Sequence, residues 1–191
     1  MEASHVAEDL ESVLLTEEQI LYRVAALAVE LADDYTGRDP LLVGVLGGAA
    51  TFTVDLARAF PGQVEVSWMA IRSYTTLHRG SGSVRVLKDL DVDIAGRHVV
   101  IVDGVIDTGL TMSWLIAYLA QRRPASVAVC ALLRKPDTPA FAGTPTYIGF
   151  DVGPGLVVGY GLDYRGRYRN LRCAAVLAPH VYRAAASAPP A

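Results

Sequence analysis

The sequence predicts an α/β protein in which a mostly parallel, twisted sheet is flanked by helices on both faces. Residues 41–46 and 99–102 consist only of apolar residues and glycine, which is typical of parallel strands buried on both faces. Helical and strand patterns alternate through the middle of the chain, and this order favours right-handed βαβ units. Because such sheets bind ligands beyond the carboxyl ends of their strands, we expect the functional site at that edge.

Length and composition favour one domain over residues 1–191, with a core from about 16 to 180 and frayed ends. The net charge of −3 gives no positive field, so neither nucleic acid nor a membrane is expected as a partner. Cys130 and Cys173 lie in apolar runs and are predicted to be buried thiols. The chain starts without a signal-peptide pattern and has no run long enough to cross a bilayer, so we expect a cytoplasmic location.

The first part of the chain reads as a lead-in, a helix, a strand and a second helix. Residues 1–15 are acidic and mixed, and we expect them to be loosely held. Thr16 and Gln19 have the spacing of a capping box, which predicts a helix that runs to about residue 33. The strand at 41–46 ends at Gly47 and Gly48, and a helix is predicted from there to about residue 60.

The middle of the chain begins with an alternating pattern that predicts a strand over residues 64–74. The polar segment 75–83, with two glycines, is expected to be mobile, and residues 84–87 are expected to form an edge strand. Residues 98–102 predict the strongest strand of the chain. It leads into Asp103 and a turn before a helix at about 110–121.

The last part of the chain predicts a buried strand at 127–133 and then a proline-rich loop. Shorter strands are expected at 147–150, 157–160 and 174–177. The tail, residues 184–191, is expected to be frayed.

The turn after the strand at 98–102 carries the clearest chemical signal, the sequence Asp107-Thr108-Gly109-Leu110-Thr111. The first N–H groups of a helix have no acceptor within the helix and attract anions, while glycine lets a phosphate approach closely. The alternative is a helix start with an ordinary Asp or Thr cap. The combination of features directly after a buried strand favours phosphate binding.

This stretch resembles the motif by which type I phosphoribosyltransferases bind phosphoribosyl pyrophosphate (PRPP). Further segments resemble the hypoxanthine-guanine branch of that family, in the same order, from about residue 15 to 177. These segments are LGGA at 46–49, IRSY at 71–74, VLKDL at 86–90, LLRKP at 132–136 and VVGYGLDY at 157–164.

The resemblance implies a type I phosphoribosyltransferase-like fold with a small hood beside the main sheet. It implies a purine salvage transferase that joins hypoxanthine or guanine to the ribose 5-phosphate of PRPP and releases pyrophosphate. The implied cofactor is Mg²⁺, the implied partners are PRPP and a purine base, and relatives of this kind form homodimers or homotetramers.

The resemblance also assigns roles to individual residues. Asp107 matches the catalytic carboxylate near purine N7, and Thr108, Gly109, Leu110 and Thr111 match the 5-phosphate loop. Asp103 and Gly104 match the ribose site, and Lys135, Leu156 and Val157 match the purine site. Leu46, Gly47 and Arg169 match the pyrophosphate site, and Ser73 and Tyr74 match the start of a flexible loop. Asp163 and Asp103 match the metal site. The Leu46–Gly47 peptide is often cis in such proteins. Arg167 is an alternative to Arg169 at the pyrophosphate site. The alternative for Lys135 is a solvated loop lysine with no role at the base, and the alternative for Asp163 is a turn aspartate with no metal role.

Three positions depart from the family pattern. Gly104 replaces the second residue of an acidic pair, Leu156 replaces an aromatic ring that stacks on the purine, and Gly47 replaces a frequent lysine. These departures keep two alternatives open. One is a regulatory module that binds PRPP or a nucleotide with weak or no catalysis, and the other is a transferase for another base such as xanthine.

Overall fold

The computed structural model describes residues 1–74, 83–136, 138–141, 143–144 and 146–186. A 3₁₀ helix spans Ala3–Asp9. The strands are β1 (Leu10–Leu15), β2 (Pro40–Leu46), β3 (Glu65–Tyr74), β4 (Ser83–Lys88), β5 (His98–Ile106), β6 (Ser126–Arg134), β7 (Thr146–Asp151), β8 (Val157–Val158) and β9 (Ala174–Leu177). The α-helices are α1 (Glu17–Asp34), α2 (Ala50–Ala59), α3 (Leu110–Ala120) and α4 (Pro179–Ala186).

The main sheet has six strands in the order β4-β3-β2-β5-β6-β7. All neighbours are parallel except β3 and β4, which pair antiparallel at one edge. Gly44 of β2 is level with Val102 of β5, so the residues that follow both strands lie at the same edge of the sheet. The predicted α/β fold class is confirmed.

Helices cover both faces of this sheet because the buried side chains of a strand alternate. In β5, Val100 and Val102 pack in a cluster with α1 and α2, which contribute side chains such as Phe52. Val99 and Ile101 pack in a second cluster with α3 on the opposite face. The strand that leads to the predicted phosphate loop therefore contributes side chains to both apolar cores.

The smaller sheet has the order β1-β9-β8 and is antiparallel, and it forms the expected hood. β1 pairs with β9 between Leu10 and Leu177 at one end and between Leu15 and Ala174 at the other. The expectation that residues 1–15 are loosely held is therefore wrong. The hydrogen-bonding partner of β1 is β9, near the end of the described chain. A pattern within residues 1–15 cannot indicate a partner so distant in sequence.

A turn after β8 brings the hood against the main sheet. Gly159, Tyr160 and Gly161 all have positive φ, at 95°, 47° and 96°. The strand expected at 157–160 therefore ends at Val158, because a β-strand does not continue through left-handed backbone. A Cβ at Gly161 would lie 2.7 Å from the carbonyl oxygen of Gly48, so glycine is needed where the turn meets the loop after β2.

The first and last α-helices differ in how well the sequence predicts them. The capping box of α1 is confirmed, since Thr16 Oγ1 accepts from Gln19 N and Gln19 Oε1 accepts from Thr16 N. Helix α4 covers part of the tail expected to be frayed, and residues 187–191 lie outside the described residues. None of the helices in the described part of the chain has the length and apolar character that a membrane crossing requires.

Candidate active site

The predicted phosphate loop leaves the carboxyl end of β5 and enters α3. Gly109 is the N-cap residue of α3, with φ of 74°, and no side chain caps this helix. Thr108 Oγ1 accepts from Leu110 N at 3.5 Å, which is the long limit of a hydrogen bond. The helix start is therefore open to an anion, which argues against the alternative of an ordinary capped helix.

Asp107 lies at the start of this loop with an exposed side chain. A residue of the loop after β6 holds its backbone, because the hydroxyl of Thr138 donates to the carbonyl oxygen of Asp107 at 2.6 Å. The amide of Lys135 donates to the carbonyl oxygen of Ile106 at 2.9 Å. These bonds join the loop after β6 to the turn that carries Asp107 and leave its carboxylate available to a ligand.

Asp103 and Gly104 lie within β5, before the loop. Asp103 is half-buried, and its Oδ1 accepts from Gly104 N at 2.7 Å. Burial raises the pKa of Asp103 to about 7, against the smaller opposing effect of its backbone hydrogen bonds. A cation beside this carboxylate would favour its charged form.

Gly104 has no room for a side chain. A Cβ at this position would lie 2.8 Å from the carbonyl oxygen of Gly48 and 3.0 Å from Leu162 Cδ2. Any side chain at position 104, including a second carboxylate, would therefore clash with the loop after β2, so the packing of β5 against this loop requires glycine.

The predicted pyrophosphate loop begins with a cis peptide between Leu46 and Gly47, as the resemblance implies. The Arg169 guanidinium lies against this loop, 3.3 Å from the position that a Cβ of Gly47 would occupy. Arg169 Nη1 donates to the carbonyl oxygen of Gly161 at 2.6 Å, and its Nη2 is paired with Asp163 Oδ1 at 2.8 Å. Arg169 therefore lies at the loop, where Gly47 leaves space for it.

The predicted purine site lies between the loop after β6 and the start of the hood. The Lys135 ammonium donates to the carbonyl oxygen of Gly155, and two of its three N–H groups remain for other acceptors. Val157 is buried in β8, where it pairs with Val176. Leu156 is half-buried and packs against the apolar cluster of the hood.

One cleft of about 280 Å³ contains most of the predicted phosphate and ribose residues. Its lining residues are Val45, Leu46, Gly48, Ile71, Asp103, Val105, Ile106, Asp107, Thr108, Gly109, Thr111 and Met112. The five predicted residues that follow α3 in the chain are not part of this lining: Lys135, Leu156, Val157, Asp163 and Arg169. They belong to the loop after β6 and to the hood. Gly47, Gly104 and Leu110 are also outside the lining, although both sequence neighbours of each of them belong to it.

Ser73 and Tyr74 are the last residues of β3. Of the segment 75–83 that was expected to be mobile, residues 75–82 lie outside the described residues, and Ser83 is the first residue of β4. A larger groove of about 850 Å³ lies between α2 and the start of β3, lined by residues such as Arg58, Val64 and Trp68. This groove is at the amino end of the parallel strands, whereas the predicted phosphate-binding residues are at the carboxyl end.

Sequence reasoning missed three residues that support the site. Thr138 bonds Asp107, Gly155 accepts from Lys135, and Tyr168 precedes Arg169 with φ of 72°. A threonine or glycine in a loop carries no signal of such contacts. An aromatic residue between two arginines, as in Arg167-Tyr168-Arg169, only weakly indicates that the aromatic side chain is buried.

The carboxylates present fit a Mg²⁺ ion that is held mainly by substrate. Among the described residues, no group of three or more potential metal ligands comes together. Mg²⁺ in phosphate-transfer sites commonly uses one or two carboxylates together with substrate oxygens and water. Asp103 precedes Gly104 and Asp163 follows Leu162, and Leu162 Cδ2 lies 3.0 Å from the position of a Cβ at Gly104, so these two acidic residues could supply such a sparse set.

A mostly parallel sheet, an uncapped helix start after an acidic strand end and a hood that carries Arg169 together define a phosphoribosyltransferase of type I. The family model for the phosphoribosyl transferase domain matches residues 12–165. A solved hypoxanthine phosphoribosyltransferase from Staphylococcus aureus superimposes with a TM-score of 0.86 at 34% identity, covering 95% of this chain and 99% of that one.

Curated relatives narrow the family further. The chain is 50% identical to the hypoxanthine-guanine phosphoribosyltransferase of Mycobacterium avium over 181 residues, which cover 92% of this chain and 89% of the relative. It is 40% identical to the enzyme of the same name from Bacillus subtilis, over 91% of this chain and 97% of the relative. The chain belongs to the hypoxanthine-guanine phosphoribosyltransferase family.

Proposed function

We propose that this protein joins a 6-oxopurine, hypoxanthine or guanine, to the ribose 5-phosphate of PRPP. In this reaction the bond between the anomeric carbon and the pyrophosphate oxygen breaks, and a bond from that carbon to purine N9 forms. The purine loses one proton and pyrophosphate leaves. The observation that carries the proposal is the uncapped start of α3, which opens with Asp107 and Asp103 onto one cleft.

The 5-phosphate of PRPP binds in the loop of Thr108, Gly109, Leu110 and Thr111. Two hydroxyls and the first amides of α3 donate to the phosphate oxygens, and the partial positive charge of the helix start adds to the attraction. Asp103 binds the ribose hydroxyls, and Gly104 contributes its backbone only, since no side chain fits there.

The purine lies between the ribose and the hood. Lys135 donates to the exocyclic 6-oxygen with an N–H group that Gly155 does not use. The carbonyl of Val157 contacts the edge of the base, and Leu156 provides an apolar surface. Asp107, near purine N7, accepts the proton, because it is the carboxylate with an exposed side chain in the turn.

The leaving pyrophosphate lies along Leu46 and Gly47, where Arg169 neutralises part of its charge. When bound, Mg²⁺ supplies further positive charge to the leaving group, and Asp163 and Asp103 are the residues that would hold it. Asp163 Oδ1 is paired with Arg169 Nη2 at 2.8 Å, so a residue that would hold the metal lies beside the arginine of the pyrophosphate site.

A panel of bases with PRPP tests this function. We expect nucleotide and pyrophosphate from hypoxanthine or guanine with Mg²⁺ present, little product without Mg²⁺, and none from adenine, which lacks the 6-oxygen. Xanthine as the sole active base would support the alternative transferase. Calorimetric binding of PRPP without turnover of any base would support the regulatory module, which the glycine at position 104 favours. A homodimer or homotetramer and a cytoplasmic location remain predictions, and light scattering of the purified protein tests the first.

A further inference from the structure

The backbone that carries Arg169 adopts an unusual conformation directly before this residue. Tyr168 has φ of 72°, a left-handed conformation that is unfavourable for a bulky non-glycine residue. Such a conformation persists only where surrounding contacts stabilise it. The contacts of Tyr168 therefore help to fix the backbone from which the side chain of Arg169 extends.

Tyr168 is buried, and its main polar contact comes from the start of the chain. The Tyr168 hydroxyl donates to Asp9 Oδ2 at 2.8 Å. Its ring belongs to the hood cluster, against which Met1, Val6 and Leu10 pack. The 3₁₀ helix and β1 thus stabilise the side chain of Tyr168 through both a hydrogen bond and apolar contact.

The residues after Arg169 also bond to the first seventeen residues. The amide of Arg172 donates to the carbonyl oxygen of Met1 at 3.3 Å, and Asn170 accepts from Met1 N at 2.7 Å. The Arg172 guanidinium is paired with Glu17 at 3.0 Å and with Glu2 at 3.6 Å. Arg169 is therefore flanked on both sides by residues that the start of the chain contacts.

Among the described residues, the hydrogen bonds and the ion pair of Arg169 are all made with Gly161 and Asp163, in the turn after β8. Its carbonyl oxygen accepts from Gly161 N at 3.0 Å, and its guanidinium contacts Asp163 and the Gly161 carbonyl. The side chain is 41% exposed, so these contacts leave it able to turn towards a ligand. Its direction depends on the backbone at Tyr168.

We infer that Asp9 and Tyr168 are positioning residues for the pyrophosphate site, because their hydrogen bond stabilises the backbone from which Arg169 reaches the loop at Gly47. This inference rests on the proposed function. It gives the 3₁₀ helix a role in binding the leaving group, although none of its residues lines the cleft of Asp103 and Asp107.

The test is a pair of variants, Tyr168→Phe and Asp9→Ala, each of which removes one partner of the bond. We expect either variant to raise KM for PRPP, and the calorimetric Kd for Mg²⁺-pyrophosphate, by roughly 3- to 10-fold, the range that one lost hydrogen bond supplies. KM for hypoxanthine should change by less than about 2-fold. Asp9→Asn keeps an acceptor for the hydroxyl and should restore most of the affinity. The double variant should match either single one.

A matched control is Tyr147→Phe, which removes a hydrogen bond of the same type to Asp34, between β7 and the end of α1. It should leave both KM values unchanged. If Tyr168→Phe lowers the melting temperature but alters neither KM nor the pyrophosphate Kd, the bond only stabilises the hood and the inference is wrong. Equal rises in KM for PRPP and for hypoxanthine would also overturn it. If the unmodified protein turns over no base with PRPP, the proposed function itself fails, which is a separate result.

Discussion

At the scale of single residues, Asp107 combines a hydrogen-bonded backbone with an exposed side chain. The carbonyl of Asp107 accepts from Thr138, while its carboxylate is exposed at the end of the cleft. A group placed in this way can accept a proton without a rearrangement of the turn. Asp103, by contrast, is half-buried, with its carboxylate bonded to the amide of Gly104.

Replacing Asp107 by asparagine keeps the shape of the side chain and removes its basicity. We expect kcat to fall by about 10²- to 10⁴-fold, the usual contribution of a general base. The free energy of unfolding should change by less than about 0.5 kcal/mol, as for other exposed positions. Steady-state kinetics and urea unfolding measure both quantities. A kcat close to that of the unmodified protein would assign proton transfer to another group.

Replacing Asp103 by asparagine should change how stability depends on pH. Below about pH 4 the carboxyl is protonated in both the folded and the unfolded state; between there and pH 7 only the folded state keeps the proton; above pH 7 neither does. Because its folded pKa is raised to about 7, Asp103 lowers the free energy of unfolding progressively across this window. The variant, which has no such group, should gain stability relative to the unmodified protein by at most about 4 kcal/mol between pH 4 and pH 7.

Urea unfolding of both proteins at pH 4.5, 6 and 7.5 measures this difference, and all other titrating groups cancel in the comparison. A constant difference over the three pH values would show that the pKa of Asp103 is close to that of a solvated carboxyl.

At the scale of helices and strands, the sequence predicts what depends on neighbours along the chain. The capping box of α1 and the apolar runs of β2 and β5 act locally, and all three elements begin within one residue of where they were expected. The end of β5 was not predicted, because the strand continues through Asp103 and Gly104 to Ile106, beyond the expected range 98–102. β1 was not predicted, because its six residues alternate poorly and its partner β9 lies near the other end of the chain. The close approach of Gly104 to Gly48 was not predicted either, because it depends on how two strands are placed side by side.

The contact between β5 and the loop after β2 predicts the effect of a single methyl group. Gly104→Ala would place a Cβ 2.8 Å from a backbone carbonyl oxygen, which cannot move as a flexible side chain does. We expect a loss of about 1–3 kcal/mol in the free energy of unfolding and a rise in KM for PRPP, because the loop of Leu46 and Gly47 must shift. Thermal unfolding and initial-rate kinetics measure the two effects.

Gly153→Ala is the control for this prediction, since a Cβ there meets no atom within 4 Å. It should be neutral or slightly stabilising, because alanine restricts the unfolded chain. If both variants behave alike, the packing at Gly104 is looser than the structure indicates.

At the scale of the whole molecule, the candidate site is shared by two sheets. The main sheet supplies Asp103 and the phosphate loop, and the hood supplies Asp163 and Arg169. Sequence reasoning assigned these residues by family resemblance, and their roles remain predictions. It could not foresee that Arg169 and Asp163 form an ion pair, because two residues six apart in a loop have no defined distance until the turn at Gly166 is known.

A ligand that contacts both sheets should stabilise the whole fold. At 100 times its Kd, Mg²⁺-PRPP should add about 2.7 kcal/mol to the free energy of unfolding. For a chain of this length, that corresponds to a melting temperature roughly 5–10 °C higher. Differential scanning fluorimetry measures the shift, and ribose 5-phosphate, which lacks the pyrophosphate, should give a smaller one. No shift with Mg²⁺-PRPP at millimolar concentration would contradict binding across the two sheets.

The pairing of β1 with β9 has a consequence for protein synthesis. A ribosome makes β1 before the six strands of the main sheet and its partner β9 only after all of them have been translated. Until then β1 exposes unpaired backbone groups on a growing polypeptide, a situation that invites pairing with other nascent chains. The acidic residues of the first stretch, Glu2, Glu8, Asp9 and Glu11, place like charges next to that exposed edge and oppose such aggregation.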